Sequence, residues 1–457
     1  MKSEIRSNPL ETESIGKLLL RFCIPALASN LVTSLYNIVD QIFIGNTLGI
    51  VGNAATNVVF PAVTLVSALA LMCGVGASNA MNLHLGRGEI KEAKICVGGG
   101  LGLMVLCGLI VSIPMLLWTE NVLLLCGCTQ MVLPYATEYA RTIALSFVFA
   151  IIGAAGPFLV RADGAPNFSL ACIVTGALSN VVLDALFIFG FGWGIRGAAW
   201  ATLLAEMLST LMVLWYLRYR FRAFKLRVQD FRPDLRLYRG IASIGAGPAF
   251  NFATQAMVQI ILNNALRSYG ASSIYGSNVC LAVAGVAGKV NTLAVAVIVG
   301  LTNGLQPISS YNYGKKNYRR VAAASKRVVS IVLLSGCLVF ICYQLFPVQI
   351  TKFFGEGDDD YYAFAARFFR IFFFLIPLFG LQSSVAGFFS SQGKAKQSIT
   401  ISLVRQVLFF PPLLVLLPRS MGLDGVLWAG PISDLAMAIV AGTLFVREIK
   451  KLERLED

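Results

Sequence analysis

Histidine is almost missing from this chain: His84 is the only one among 457 residues. Zinc centres and histidine acid–base catalysis need more than that. There is also no G-x-x-x-x-G-K-[S/T] stretch to cradle a nucleotide phosphate, so the chain does not drive itself with ATP. A membrane-embedded enzyme is set aside on the same grounds, and no cofactor is expected. Charge is scarce, at 13% of residues where a soluble domain carries about 25%. The 10 cysteines are scattered through apolar stretches, with Cys126 and Cys128 the only close pair. They read as small buried hydrophobes rather than a disulfide framework. Strict apolar–polar alternation is absent too, which argues against a β-barrel.

What is present is hydrocarbon: 57% hydrophobic residues and a mean hydropathy of +0.73. Apolar runs of membrane-crossing length recur throughout, so the expected fold is an all-α polytopic membrane protein. Twelve spans are expected, near 18–44, 54–80, 95–118, 132–156, 168–190, 197–217, 241–266, 274–303, 328–347, 362–388, 398–417 and 425–446. No cleavable signal is expected, because the first apolar run continues past Ile24 to Phe43. Lysine and arginine sort sharply, with 28 of 37 in the two termini and in alternate loops. The positive-inside rule makes that side cytoplasmic, with both termini inside. The excess of base over acid is therefore an orientation signal. Nucleic acid is not an expected partner, whereas membrane lipid is. The expected location is a plasma membrane.

The two halves resemble each other at an offset near 228. NLHLGRGEIKEAK (82–94) pairs with SYNYGKKNYRRVA (310–322), and FLVRADGAPNFS (158–169) with FFSSQGKAKQSI (388–399). GIRGAAWATLLAE (194–206) pairs with GLDGVLWAGPISD (422–434), aligning Trp200 with Trp428. Each half holds six spans, so the halves run the same way through the membrane and are related by a pseudo-twofold axis along its normal. The expected division is an N-terminal lobe over 1–217, a basic linker over 218–240, and a C-terminal lobe with its tail over 241–457.

Polar residues inside the spans carry the functional argument. Asp40 lies in LYNIVDQIFIGNTLG, near the outer end of span one. Asn180 and Asp184 sit four apart on one face of span five, and Thr202 begins span six. The topology puts all of them at similar depth. A carboxylate near a helix centre costs about 2.5–3.5 kcal/mol to insert. Two close together in a dry site cannot both ionise cheaply, which is chemistry for taking up and releasing a proton. The same oxygens, with a backbone carbonyl, would also suit Na⁺. A polar network that only fixes helix packing is the competing reading. The C-terminal half has no equivalent acid: its first span offers Gln255, Gln259, Asn263 and Asn264. Glu206 and Asp434 are secondary candidates at matching positions of the repeats. Glu138 and Arg141 are spaced to pair, Asp358–Asp360 reads as a solvated loop, and His84 as interfacial. Pro25 and Pro248 should bend spans one and seven. RFFRIFFFLIP (367–377) reads as a lipid-facing or cavity-lining wall.

NIVDQIFIGNTLG, the loop motif GLTNGLQPISSYNYGKKN (300–317) and SNVVLDALFIFGFGWGIRGAAWAT (179–202) resemble the multidrug and toxic compound extrusion (MATE) family over essentially the whole chain. The acids confined to the first half resemble its DinF-like branch of bacterial multidrug pumps. The resemblance implies a V of two six-helix lobes that exports organic cations in exchange for H⁺ or Na⁺. It further implies a first-lobe coupling site at Asp40, Asn180, Asp184 and Thr202, with the Ala198 carbonyl as an added ligand and Tyr139 beside it.

The leading expectation is thus a secondary active antiporter for lipophilic or cationic drugs, acting as a monomer. Tyr36, Asn37, Gln255 and Asn263 are the expected cavity contacts. The alternative is a lipid-linked oligosaccharide flippase, which would need cavity cations to hold a pyrophosphate. Arg141, Lys289, Arg367, Arg370 and Arg405 are the embedded cations available.

Overall fold

The protein is described from a computed structural model covering residues 9–231, 233–353 and 357–455, with backbone alone at 41, 42, 44–54, 228 and 256. Lys2, Arg6 and Arg232 of the basic pattern, and the side chains of most of the 41–49 motif, lie outside the described residues. The described residues are overwhelmingly helical and contain no strand. Helices of membrane-crossing length are α1 Ile15–Asp40, α2 Ala55–Gly86, α3 Ile90–Leu117, α4 Leu133–Ala162, α5 Pro166–Gly190 and α6 Gly194–Arg220. They continue as α7 Leu235–Ala271, α8 Gly276–Gly314, α9 Tyr318–Leu345, α10 Asp359–Phe372 with Ile376–Ser391, α11 Ala395–Met421 and α12 Leu423–Arg454. Ten of these qualify as spans by hydropathy, eleven with the bent pair of α10. α7 is long enough at 37 residues, but is too polar to qualify. Its Gln255, Gln259, Asn263 and Asn264 are exposed, so they raise its polarity without entering the core.

Backbone helix continues from α1 into α2, yet the chain reverses between them. Cys23 of α1 lies against Gly304 of α8, and Leu83 of α2 lies against Gly314. Both ends of the α1–α2 pair therefore meet the same end of α8. One apolar core joins α2 to α6 through Met104, Phe147, Ile151 and Val213. A second joins α7 to α12 through Phe364, Phe368, Phe369 and Leu414. The run at 367–377 is two-sided: Phe368, Phe369 and Phe373 are buried in this core, while Phe374 is 45% exposed, so one face of it remains available as the expected wall. Edge-to-face contacts such as Tyr343–Phe369, at 5.1 Å between centroids, let so many rings pack in one layer.

The lobes touch at the end that carries the basic loops. Leu18, Leu19 and Phe22 of α1 pack on Leu301, Leu305 and Ile308 of α8. Reciprocally, Ile241 of α7 joins the N-terminal core, and Gly76 of α2 meets its backbone. Every residue from 300 to 312 is buried. The expected loop motif at 300–317 is consequently helix as far as Gly314. Its polar groups turn back on their own helix or onto a neighbour: Thr302 donates to the Ile298 carbonyl (2.9 Å) and Ser310 to that of Gln306 (2.7 Å). Asn312 Nδ2 reaches the Leu10 carbonyl at 3.0 Å. Away from this end the facing helices are open: Asn37, Gln255, Asn263 and Lys289 are all exposed.

The connection between lobes, 221–234, is pinned by Asp163, just past α4. Its carboxylate accepts from the Tyr216 hydroxyl (2.7 Å) and from the Arg222 and Ala223 N–H groups (2.8 Å each). Burial pushes the Asp163 carboxyl up to about 6, outweighing these hydrogen bonds to its ionised form.

Candidate functional site

Four helices of the N-terminal lobe converge on one polar spot. α5 presents Asn180 and Asp184, 3% and 0% exposed, from the same face. α6 brings Thr202 and Ala198, α4 brings Tyr139, and α1 brings Tyr36 and Asp40. Asn180 Nδ2 donates to Thr202 Oγ1 (3.4 Å), which donates to the Ala198 carbonyl (3.0 Å). A mid-helix threonine bonding back four residues is a common local solution, and here it leaves the hydroxyl oxygen facing Asn180.

The carboxylates are less provided for. Asp184 Oδ1 and Oδ2 are buried, as is Asn180 Oδ1, and no N–H or O–H group donates to any of the three. The side chain that Asp184 does meet is Asp40. Two carboxylates have no donor between them, so contact between them requires a proton held by one, or a cation shared by both. Tyr139 and Tyr36 both lie within electrostatic reach of Asp40 and Asp184. Tyr36 is also within reach of Glu206, so this secondary candidate adjoins the cluster. Gly153 of α4 makes room for it: a Cβ there would fall 2.9 Å from Glu206 Oε2. Immediately after Asp184 the helix widens into a π turn, Ala185–Gly190, a feature frequent at functional sites. Stacked rings close it off, Phe187 lying 5.1 Å from Trp193 and 5.8 Å from Phe191. Among the described residues, no three His, Cys, Asp or Glu side chains gather as a metal cluster.

The other candidates are dispersed. Asn37, Gln255 and Asn263 are exposed, and Asn263 accepts from Gln259 at 3.0 Å. Asp434 is 7% exposed and receives Arg405 Nε at 2.8 Å, with that guanidinium lying over Phe379 and Phe410. Glu138 pairs with Arg196 across the α5–α6 turn, not with Arg141, which is exposed. The helix start supplies the reason: Arg196 opens α6 and leans over the end of α4 where Glu138 stands. Arg367 pairs with Asp424 (2.7 Å), and Arg370 bonds the Gln344 carbonyl. His84 contacts Glu89 at 2.6 Å. Asp358 is not loop filler: it caps α10 by accepting the Tyr361 N–H at 2.9 Å.

Arg161 falls among the cations of the basic side, yet it is 2% exposed, lies over Phe158, and has no carboxylate within ion-pair distance among the described residues. Its place in the last turn of α4, where the helix dipole favours a cation, was the available signal.

The MatE family matches residues 25–186 and 249–415. Multidrug export protein MepA of Staphylococcus aureus (strain MSSA476) is 24% identical over 439 residues, covering 94% of this chain and 93% of that protein. MepA of Staphylococcus saprophyticus is 22% identical over the same shares. Among solved structures, a MATE protein in complex with MaL6 superposes with a TM-score of 0.90 at 23% identity, covering 98% of this chain and 99% of that one. A MOP superfamily transporter from Pyrococcus furiosus gives 0.89 at 23% identity, covering 97% and 98%. These structures share the two-lobed, twelve-helix fold. The two matched blocks fill more than half of the chain, one in each lobe, and the chain belongs to the MatE (MATE) family.

Proposed function

We propose that this chain is a secondary active multidrug efflux antiporter. It exports organic, often cationic compounds in exchange for H⁺ or Na⁺, by alternating access of a cavity between the lobes. The observation that carries the reading is the acceptor-only cluster: Asp184 Oδ1 and Oδ2 with Asn180 Oδ1, buried without a donor and facing Asp40. Buried acceptors in that state call for a positive partner, either a proton or a monovalent cation. A protonated pair is neutral; an ionised pair attracts an organic cation. Competition between the two charges couples their movements. In this reading Asp40 and Asp184 carry the coupling ion, and Asn180, Thr202 and the Ala198 carbonyl line its seat. Tyr139 shields it. Tyr36, Asn37, Gln255 and Asn263 touch the drug.

The basic end is taken as cytoplasmic by the positive-inside rule, so the open side faces outward. The names of the MepA relatives support the drug class. The flippase alternative loses ground because Arg405, a cation it would need, is neutralised by Asp434.

The test is ethidium transport in proteoliposomes under an imposed pH gradient or Na⁺ gradient. Transport should follow one gradient and disappear in Asp40→Asn and Asp184→Asn. Gradient-driven transport undiminished in both variants would overturn the reading.

A further inference from the structure

A second feature of the N-terminal lobe lies apart from the polar cluster. The start of α5 and the end of α6 border an open groove of about 620 Å³, lined by Phe168, Leu211, Leu214, Trp215, Arg218 and Tyr219. That volume falls in the range of small-molecule sites. Its floor is a continuous aromatic ladder: Phe168 stacks on Trp215 (5.9 Å), and Trp215 meets Tyr219 (6.3 Å). Leu211 is 59% exposed and Trp215 44%, so this apolar surface is presented to the membrane. At its basic end α6 widens into a π turn, Tyr216–Arg220. There Arg218 lies over Tyr219 (5.2 Å) and Arg220 over Trp215 (5.6 Å). Neither guanidinium is ion-paired among the described residues.

We propose that this groove is a specific site for an anionic phospholipid. One acyl chain lies along Leu211, Leu214 and the aromatic ladder, and the phosphate is held between Arg218 and Arg220. Charge complementarity and direction select this occupant. Two unpaired cations stand at the level of the basic loops, and apolar wall runs from them toward the membrane centre. An organic cation would be repelled by the arginines. A zwitterionic lipid would set its own cation beside them. Aromatic rings with guanidinium partners suit the interface between headgroups and acyl chains.

The site adjoins the linker anchor. Phe168 also packs on Tyr216 (4.9 Å between rings), whose hydroxyl donates to Asp163, and Asp163 holds the Arg222 and Ala223 N–H groups. A bound lipid therefore buttresses the residue that ties the connection between the lobes.

The full-length protein would be placed in nanodiscs of phosphatidylcholine and phosphatidylglycerol, and retained lipid counted by native mass spectrometry. Wild type should hold one phosphatidylglycerol more tightly than Arg218→Gln/Arg220→Gln, by on the order of 30-fold for two basic groups. Trp215→Ala should lose the same lipid. Lys450→Gln/Arg454→Gln, at the basic end of α12, should keep it. Equal retention of phosphatidylglycerol by wild type and the double arginine variant would overturn the site. So would retention of phosphatidylcholine as tight as that of phosphatidylglycerol in wild type.

Discussion

Gly304 of α8 is where the closed end of the molecule can be pried open by one methyl group. A Cβ at that position would fall 2.5 Å from Cys23 Cα and 2.7 Å from both its N and Sγ. Gly300, one turn earlier, faces α1 in the same way, 2.9 Å from Leu27 N. The obstacles are backbone atoms, which cannot rotate aside, so α1 must withdraw from α8. Overpacking of this kind costs about 1–3 kcal/mol. If the strain is released by separating the lobes, the open form gains about 5- to 150-fold in population. Cys23 reports on it directly. It is 5% exposed and its thiol contacts the Leu301 carbonyl at 3.5 Å. Maleimide labelling of Cys23, followed by peptide mass spectrometry, should accelerate by that factor in Gly304→Ala. Gly288→Ala is the control: it lies on the same helix, gains the same helix propensity, and its Cβ meets nothing within 4 Å. Labelling of Cys23 at the wild-type rate in Gly304→Ala would refute the reasoning. Equal acceleration in both variants would show that the contact is not the cause.

Two further substitutions probe the polar contacts elsewhere. The folded protein holds the Asp163 proton more tightly, at about 6 against an ordinary 3.8, so protonation adds stability as pH falls through 6 and has added all it can below 3.8. Tyr216→Phe removes a hydrogen bond to the ionised form, which moves the midpoint higher. Its melting temperature should therefore trail wild type most at pH 8 and least at pH 5; a pH-independent gap would contradict this. In the C-terminal lobe, Arg405→Met leaves Asp434 buried and unpaired, at a cost of about 3–5 kcal/mol. Arg405→Met/Asp434→Leu should recover most of that loss in thermal unfolding, and a double variant as unstable as the single one would count against the pair's role.

Span positions and the two-lobed repeat were legible in the sequence because hydropathy and repeat spacing are set by the membrane itself. The boundaries that failed are those fixed by contacts between lobes. Residues 304–314, beyond the expected end of span eight, read as loop because glycine, proline and amides crowd there, and α1 and α2 supply the burial that makes them helix. Glu138 and Arg141 have the right spacing to pair, but a turn brings Arg196 closer. The aromatic run could not reveal which of its faces would be interior, since nearly all of it is apolar. The similar depth of Asp40, Asn180, Asp184 and Thr202 was legible from the directions of their spans, whereas their contact was implied only by the family resemblance and depends on how the helices pack. The tie between Glu206 and Tyr36, and the burial of Arg161 without an ion-pair partner among the described residues, depend on side-chain placement that no periodicity encodes.

The repeat also sharpens what distinguishes the lobes. Glu206 and Asp434 occupy matching positions, and α5 and α11 each contain a π turn. In the C-terminal lobe that turn delivers Arg405 to Asp434, and the guanidinium, held by one carboxylate and two rings, gives that acid a fixed counterion. In the N-terminal lobe no ion pair forms with Asp184 or Glu206 among the described residues: Asp184 meets Asp40 with Tyr139 and Tyr36 nearby, and Glu206 has Tyr36 within reach. An acid with a permanent counterion has little reason to take up a proton or Na⁺. A buried acid that faces another acid is stabilised by taking up a proton or a cation. The same scaffold thus pairs the acid of one lobe with an arginine and leaves those of the other without one, and in the proposed antiport the lobe that lacks the arginine is the one that would carry the coupling ion.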